Sequence, residues 1–158
     1  MQKISPFIWF DNNAEEAMNF YRSVFKDSKV IRIARNPPGS PGPEGALLVA
    51  SIQLEGQEIT LMNGGPGHPL TDAFSLTINC VSQEEVDYYW DKLLGGGGKE
   101  IACGWLKDRF GLYWQITPIM LPQLLADPDK AKAGRVMQAM MKMIKLDIGA
   151  LKAAADAK

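Results

Sequence analysis

The chain has 158 residues, 46% of them hydrophobic and 22% charged, with a formal net charge of -1. That length and composition describe one folded domain, or one domain with an appendage, and exclude a disordered chain. A charge so close to zero excludes nucleic acid or an anionic membrane as a partner held by bulk electrostatics, and no apolar run approaches the roughly 20 residues that span a bilayer.

The opening "MQKISPFIWFDNN" lacks the apolar stretch and small-residue cleavage site of a secretory signal, so a cytoplasmic protein is expected. Cys80 and Cys103 then sit in a reducing compartment and form no structural disulfide. With a single histidine and no CxxC pair, the common zinc spacings are absent.

Along the chain, "KISPFIWF" reads as a strand and the following "NNAEEAMNFYRSVF" as an amphipathic helix. Asn13 is placed to cap that helix, with Glu16 three residues on, and Ala17, Phe20, Tyr21 and Val24 recur at helical spacing. Three strand-like runs follow: "KVIRIAR", then "GALLVASIQL" and "QEITLMN" joined around Glu55-Gly56 as a hairpin. The Pro/Gly-rich "NPPGSPGPEG" separates the first run from the second as a loop.

The same order then repeats. At an offset of 69 residues, Glu15-Glu16 falls on Glu84-Glu85, Phe20-Tyr21 on Tyr89-Trp90, and the cap position Asn13 on Ser82. A strand, "AFSLTINC", precedes the second helix, and "GGGG" at residues 95–98 ends it. The strands "KEIAC", "GWLKD" and "LYWQITP" come after, with a turn at residues 109–111 and Lys107-Asp108-Arg109 read as solvated. In the last strand, alternation puts Leu112, Trp114 and Ile116 on one face and Tyr113 and Gln115 on the other. The reading is an α+β protein of two βαβββ modules, at about residues 3–64 and 72–119 of a body spanning 1–121.

Residues 122–158 form a helical C-terminal extension. They carry seven Lys/Arg against four Asp/Glu, whereas residues 1–121 carry ten against fourteen. Asp127 with Pro128 reads as a helix start, and Asp147 as the cap of a second short helix. Val136, Met137, Met140, Met141 and Ile144 make one apolar stripe, which either packs on the body or forms a surface between subunits.

The motifs "WFDNNAEEAMNFYRSVFKDSKV", "LMNGGPG", "CGWLKDRFGLYWQITP" and "RVMQAMMKMIKLDIGALKAA" cover nearly the whole chain. In them the chain resembles the vicinal oxygen chelate superfamily, and within it the PhnB-like branch labelled 3-demethylubiquinone-9 3-methyltransferase. The resemblance implies that each module's sheet curls into half a cup. It implies too that metal-using members carry ligands on the first and last strands of each module.

Carried onto this chain, those slots fall on residues 4–6, on Met62 or Asn63, on Phe74 or Ser75, and on Gln115. They offer amide and hydroxyl oxygens with neither imidazole nor carboxylate, a poor set for a divalent transition metal. The expectation is therefore a metal-free, cofactor-free cup for a small organic ligand, lined by Trp9, Asn63, Ser75, Trp105 and Gln115. A metal-dependent lyase, isomerase or dioxygenase is the alternative. Methyl transfer is disfavoured because "NGGPG" follows a fourth strand and precedes no helix, unlike a nucleotide-binding glycine loop. His68 reads as an exposed loop residue and both cysteines as buried, inert thiols. The superfamily's habit of pairing modules across subunits, with the Met stripe, leads to the expectation of a homodimer with no nucleic-acid or membrane partner.

Overall fold

The computed structural model of the protein describes all 158 residues, in two compact units, residues 1–69 and 70–158. No helix is long and apolar enough to cross a membrane.

The first unit is one βαβββ module. Strand β1 (Phe7–Phe10) leads into α1 (Ala14–Val24), followed by β2 (Ser28–Arg35), β3 (Leu47–Leu54) and β4 (Gln57–Asn63). The sheet order is β1-β4-β3-β2, with β1 parallel to β4 and the other pairs antiparallel. Between β3 and β4 the turn residues Glu55 and Gly56 both have positive φ, 47° and 84°, as a tight two-residue hairpin of right-handed strands requires. One sheet face carries Ile8, Phe10, Ala50, Ile52, Ile59 and Leu61, all buried, and α1 covers it with Ala14, Ala17, Met18, Tyr21 and Val24. Each large apolar side chain removed from water there contributes about 1.5–3 kcal/mol. The other face has no helix over it.

The second unit repeats the module. Strand β5 (Ser75–Cys80), α2 (Gln83–Leu94), β6 (Lys99–Glu100), β7 (Trp105–Lys107) and β8 (Tyr113–Pro118) build a sheet ordered β5-β8-β7-β6. The helices α1 and α2 start 69 residues apart, the offset read from the sequence. Ser82 Oγ accepts the Glu85 N–H at 3.3 Å, while the Glu85 carboxylate accepts the Val81 N–H at 2.8 Å, which ties down the helix start. At the far end, Gly96 and Gly97 take the left-handed backbone that ends the helix. Only Lys99 and Glu100 of the expected strand "KEIAC" pair in the sheet.

Two expectations about helix starts are corrected, and one helix is added to those expected. Asn13 stands at the N-cap of α1 without a side-chain cap bond, and Asn63, fifty residues on, supplies it instead: Asn63 Oδ1 accepts the Ala14 N–H at 2.8 Å. In the extension, α3 (Met120–Leu125) precedes α4 (Lys130–Met141) and α5 (Ile148–Asp156), and α3 was not foreseen. The cap of α4 is Asp129, whose Oδ1 accepts from Ala131 and Lys132, while Asp127 accepts the Asp129 N–H one turn earlier.

The extension folds onto the second module. Leu121, Val136, Leu146, Leu151 and Ala155 form a buried cluster, with Met140 and Met143 packed against it. Gln83 of α2 accepts the Ile148 N–H at 2.8 Å and donates to Leu146 O at 3.1 Å. The Cys103 and Gly104 N–H groups donate to Met143 O and Ile144 O, each at 2.8 Å. Gly104, with φ of 82°, lies so close to Leu146 that a Cβ there would meet its Cδ1 at 2.8 Å. The methionine stripe therefore divides: Val136 and Met140 pack inward, whereas Met137, Met141 and Ile144 are exposed.

Candidate functional site

In the second unit, the sheet face away from α2 brings three of the candidate residues together. Trp105 pairs with Gln115 across β7 and β8, and Gln115 pairs with Thr77 across β8 and β5, so all three point to one side. The next row on that side is Lys107, Tyr113 and Ser75. Gln115 Nε2 donates to Ser75 Oγ at 2.9 Å, joining the two rows. The Lys107 ammonium lies 5.6 Å from the centre of the Tyr113 ring, a cation–π contact that holds the lysine over the sheet. Trp105, Tyr113, Ser75 and Gln115 are each partly exposed.

The opposite faces of the same strands are dry. Leu106, Leu112, Trp114 and Ile116 are all at most 3% exposed. The alternation read from "GLYWQI" therefore holds, and it assigns the two tryptophans of this segment different jobs: Trp114 is core and Trp105 is wall.

What sequence reading missed is Asp108. It is buried at 2% exposure. Its Oδ1 accepts the N–H groups of Phe110 at 2.9 Å and Leu112 at 3.0 Å, and its Oδ2 accepts Trp114 Nε1–H at 2.8 Å. A carboxylate can be buried when several donors satisfy it, and here it closes the turn that ends in Gly111, whose φ is 92°. The expectation of a solvated Lys107-Asp108-Arg109 turn is corrected for its middle residue. The signal in the sequence was the tryptophan six places on, a buried donor in need of an acceptor.

In the first unit, Trp9 and Asn63 fall on opposite sides of the sheet, because Trp9 pairs with Met62 and Asn63 with Phe10. Trp9 is clasped by the loop after β4. Its Nε1–H donates to Gly65 O at 2.8 Å, and its ring lies 4.2 Å from the His68 ring at 41°. A Cβ on Gly64 would fall 2.2 Å from the Trp9 ring, so only glycine allows the loop to cross there. Asn63 spends both halves of its amide on backbone, Oδ1 on Ala14 N–H and Nδ2 on Leu47 O at 3.0 Å.

The remaining groups offer little chemistry. Cys80 is fully buried, and burial pushes its thiol up to about 12, so it stays protonated and unreactive. Cys103 is partly exposed, contrary to the expectation for both thiols, and holds a left-handed φ of 55° where the chain docks on Met143. No three His, Cys, Asp or Glu side chains are grouped to hold a metal ion. At the ligand slots carried over from the superfamily, Asn63 has both amide atoms engaged and Ser75 and Gln115 bond each other, so this donor set does not fit a divalent transition metal.

Comparison with known proteins places this geometry in a family. The family model described as 3-demethylubiquinone-9 3-methyltransferase matches residues 2–117. The structure of a protein described as a 3-demethylubiquinone-9 3-methyltransferase, PhnB protein, from Bacillus cereus is 36% identical, with a TM-score of 0.67 over 74% of this chain and 99% of that one. The fosfomycin resistance protein FosX from Mesorhizobium loti is 12% identical, with a TM-score of 0.57 over 80% and 100% of the two chains. FosX from Listeria monocytogenes, in complex with Mn(II) and sulfate, is 14% identical with a TM-score of 0.52 over 79% and 96%. The FosX likenesses establish the shared fold alone. No curated protein matches the chain.

Proposed function

This chain belongs to the 3-demethylubiquinone-9 3-methyltransferase (PhnB-like) family of the vicinal oxygen chelate superfamily, and on that premise we propose that it is a metal-free binding protein for a small organic molecule. The observation that carries the reading is the open face of the second sheet. There Gln115 Nε2 is anchored on Ser75 Oγ at 2.9 Å while Gln115 Oε1 and the Trp105 Nε1–H have no partner within the chain. An amide acceptor and an indole donor beside two aromatic rings suit a flat ligand that both donates and accepts, with the rings supplying contact area. Ser75, Trp105 and Gln115 are the proposed contacts. In the first unit, Trp9 is proposed as a ligand-facing wall of its own sheet, held by its loop, and Asn63 as the residue that fixes the end of β4.

Listeria FosX binds Mn(II), but the slots here provide no imidazole or carboxylate, so no step of metal chemistry is assigned to this chain. The methyltransferase description of the family gains no support from the glycines after β4, since Gly64 and Gly65 are engaged in clasping Trp9. The proposal extends to a cytoplasmic homodimer joined through the exposed Met137, Met141 and Ile144 of the extension, with residues 1–121 as the ligand-binding body. Light scattering on Met141→Glu tests that surface, since a dimer unaffected by the charge would place the contact elsewhere.

The binding reading is tested by titrating aromatic amides and phenols against the protein while following tryptophan fluorescence. Gln115→Ala and Trp105→Ala should each weaken a bound member of that panel by about tenfold, the loss of one hydrogen bond or one aromatic wall in a partly dry site. Binding that survives both substitutions unchanged contradicts the assignment.

A further inference from the structure

The first unit carries a polar feature of its own on the uncovered face of its sheet. A single row crosses all four strands: Arg32 of β2 pairs with Ser51 of β3, Ser51 with Thr60 of β4, and Thr60 with Phe7 of β1. Arg32 reaches this row through a β-bulge. Val30 pairs with the buried Ile52, and plain alternation would keep Arg32 on that same helix-covered side. The extra residue, Ile31, shifts the register by one and turns Arg32 to the open face, which is how bulges re-aim a side chain.

The row forms the floor of a cleft of about 810 Å³, within the roughly 300–1,000 Å³ of small-molecule sites. Ser51 Oγ and Thr60 Oγ1 are hydrogen-bonded at 3.1 Å, and Ser51, 8% exposed, is the one buried polar residue of its strand. Apolar surface from Phe7, Val49 and Met62 flanks them. The Arg32 guanidinium makes one long hydrogen bond, 3.5 Å to Ser51 Oγ, and no ion pair, so most of its five donors are unspent. Elsewhere on the same strand Arg35 is paired with Glu15 at 2.6 Å, so the strand's other arginine already has its carboxylate. The same cleft is lined by Lys3, Glu58 and the N-terminal ammonium of Met1, which lies 3.7 Å from Glu58 Oε1, and Lys29 stands in the Glu58 row. Glu58 stands one same-face row away, about 7 Å along the strand, and its Oε2 accepts the Gln2 N–H at 3.1 Å.

We propose that this cleft binds a small organic oxyanion, its acidic group held by the Arg32 fork and the Ser51 and Thr60 hydroxyls, its apolar part on Phe7, Val49 and Met62. A guanidinium presents parallel N–H groups that match a carboxylate or phosphate edge two at a time, and hydroxyls beside it complete the oxygen's coordination. Glu58 leaves the Arg32 fork free for the ligand, because its own carboxylate is paired with the N-terminal ammonium at 3.7 Å. The site uses residues of the first unit alone and stands or falls independently of the Gln115 face.

The test uses the intact protein and three probes of one shape: benzoate, phenyl phosphate and neutral benzamide. Binding is followed by amide chemical shifts in two-dimensional NMR. The expected result is that both anions bind about tenfold or more tighter than benzamide, with shifts centred on Arg32, Ser51 and Thr60. Arg32→Gln should erase that preference and Arg32→Lys keep part of it, with neither variant changing the thermal midpoint, since Arg32 is exposed. A phosphate preference over carboxylate, or the reverse, then identifies the acid. Equal binding of anions and benzamide, no binding of either anion, or a preference that survives Arg32→Gln overturns the proposal. Shifts centred on Trp105 and Gln115 instead would overturn it while leaving the reading of the second sheet in place.

Discussion

The two βαβββ modules share strand order, helix position and a 69-residue offset, yet the amides on their last strands are used in opposite ways. Asn63, the last residue of β4, is bonded to Ala14 N–H and Leu47 O, so it holds the framework together. Gln115, within β8, bonds only another side chain, Ser75 Oγ, and keeps its carbonyl oxygen for something outside the protein. The difference lies in which backbone groups pass nearby. Asn63 stands beside the uncapped start of α1, where free N–H groups need acceptors, whereas α2 is capped by its own Ser82 and makes no such demand. An amide on the helix-covered face of one module therefore becomes framework, while one on the open face of the other stays available as surface.

The largest effect expected on this comparison comes from Asp108, which fixes the hairpin that presents Gln115. Asp108→Ala removes the acceptor for two backbone N–H groups and for Trp114 Nε1–H inside the core. Stranding those donors should cost about 3 kcal/mol or more of unfolding free energy in urea melts. A loss below about 1 kcal/mol would mean that water replaces the carboxylate and that the turn is held by other contacts.

Next comes the amide contrast itself. Asn63→Ala should destabilise the protein by about 2 kcal/mol, combining a lost helix cap with a stranded Leu47 carbonyl. Gln115→Ala should change stability by less than about 0.5 kcal/mol, as for a partly exposed side chain outside the framework. Equal losses at the two positions would erase the distinction between framework and available amide.

The smallest effect concerns the tie between α2 and the extension. Lys145 Nζ lies 2.8 Å from Asp87 Oδ1, and the hydrogen bonds from Lys145 and Gln83 hold the Asp87 carboxyl below its ordinary value of 3.8. A carboxyl whose folded value is depressed contributes stability above its unfolded value, and that contribution is lost as pH falls through the folded value. The bridge is well exposed, so a double-mutant cycle with Asp87→Asn and Lys145→Met should give about 0.5 kcal/mol at pH 7, falling away as the Asp87 carboxylate is protonated. A coupling that persists in acid would show that packing, not charge, joins the two residues.

Much of this architecture was legible because it rests on local period and on caps. The helix starts at the predicted offset, the Glu55-Gly56 hairpin and the alternation from Leu112 to Ile116 all follow from residues within a few places of one another. The candidate site was legible only where alternation sufficed, which is why Trp105 and Gln115 share a face as read and Trp9 and Asn63 do not share one. Asp108 was misread because its partner Trp114 reaches it only through the folded hairpin. Asn13 reads as the cap of α1 because it is adjacent in sequence, while the acceptor that fills the position arrives from β4. Periodicity does not reveal the face of Arg32, because a one-residue bulge decides it.

Gln115 and its neighbours hold either an organic ligand or a metal. Elemental mass spectrometry of protein purified without chelators, before and after incubation with manganese, iron, nickel and zinc salts, asks this directly. No near-stoichiometric metal is expected in either sample, because the slots supply amide and hydroxyl groups with neither imidazole nor carboxylate. One metal per chain, lost in Gln115→Ala, would contradict that expectation and make the second sheet a metal centre.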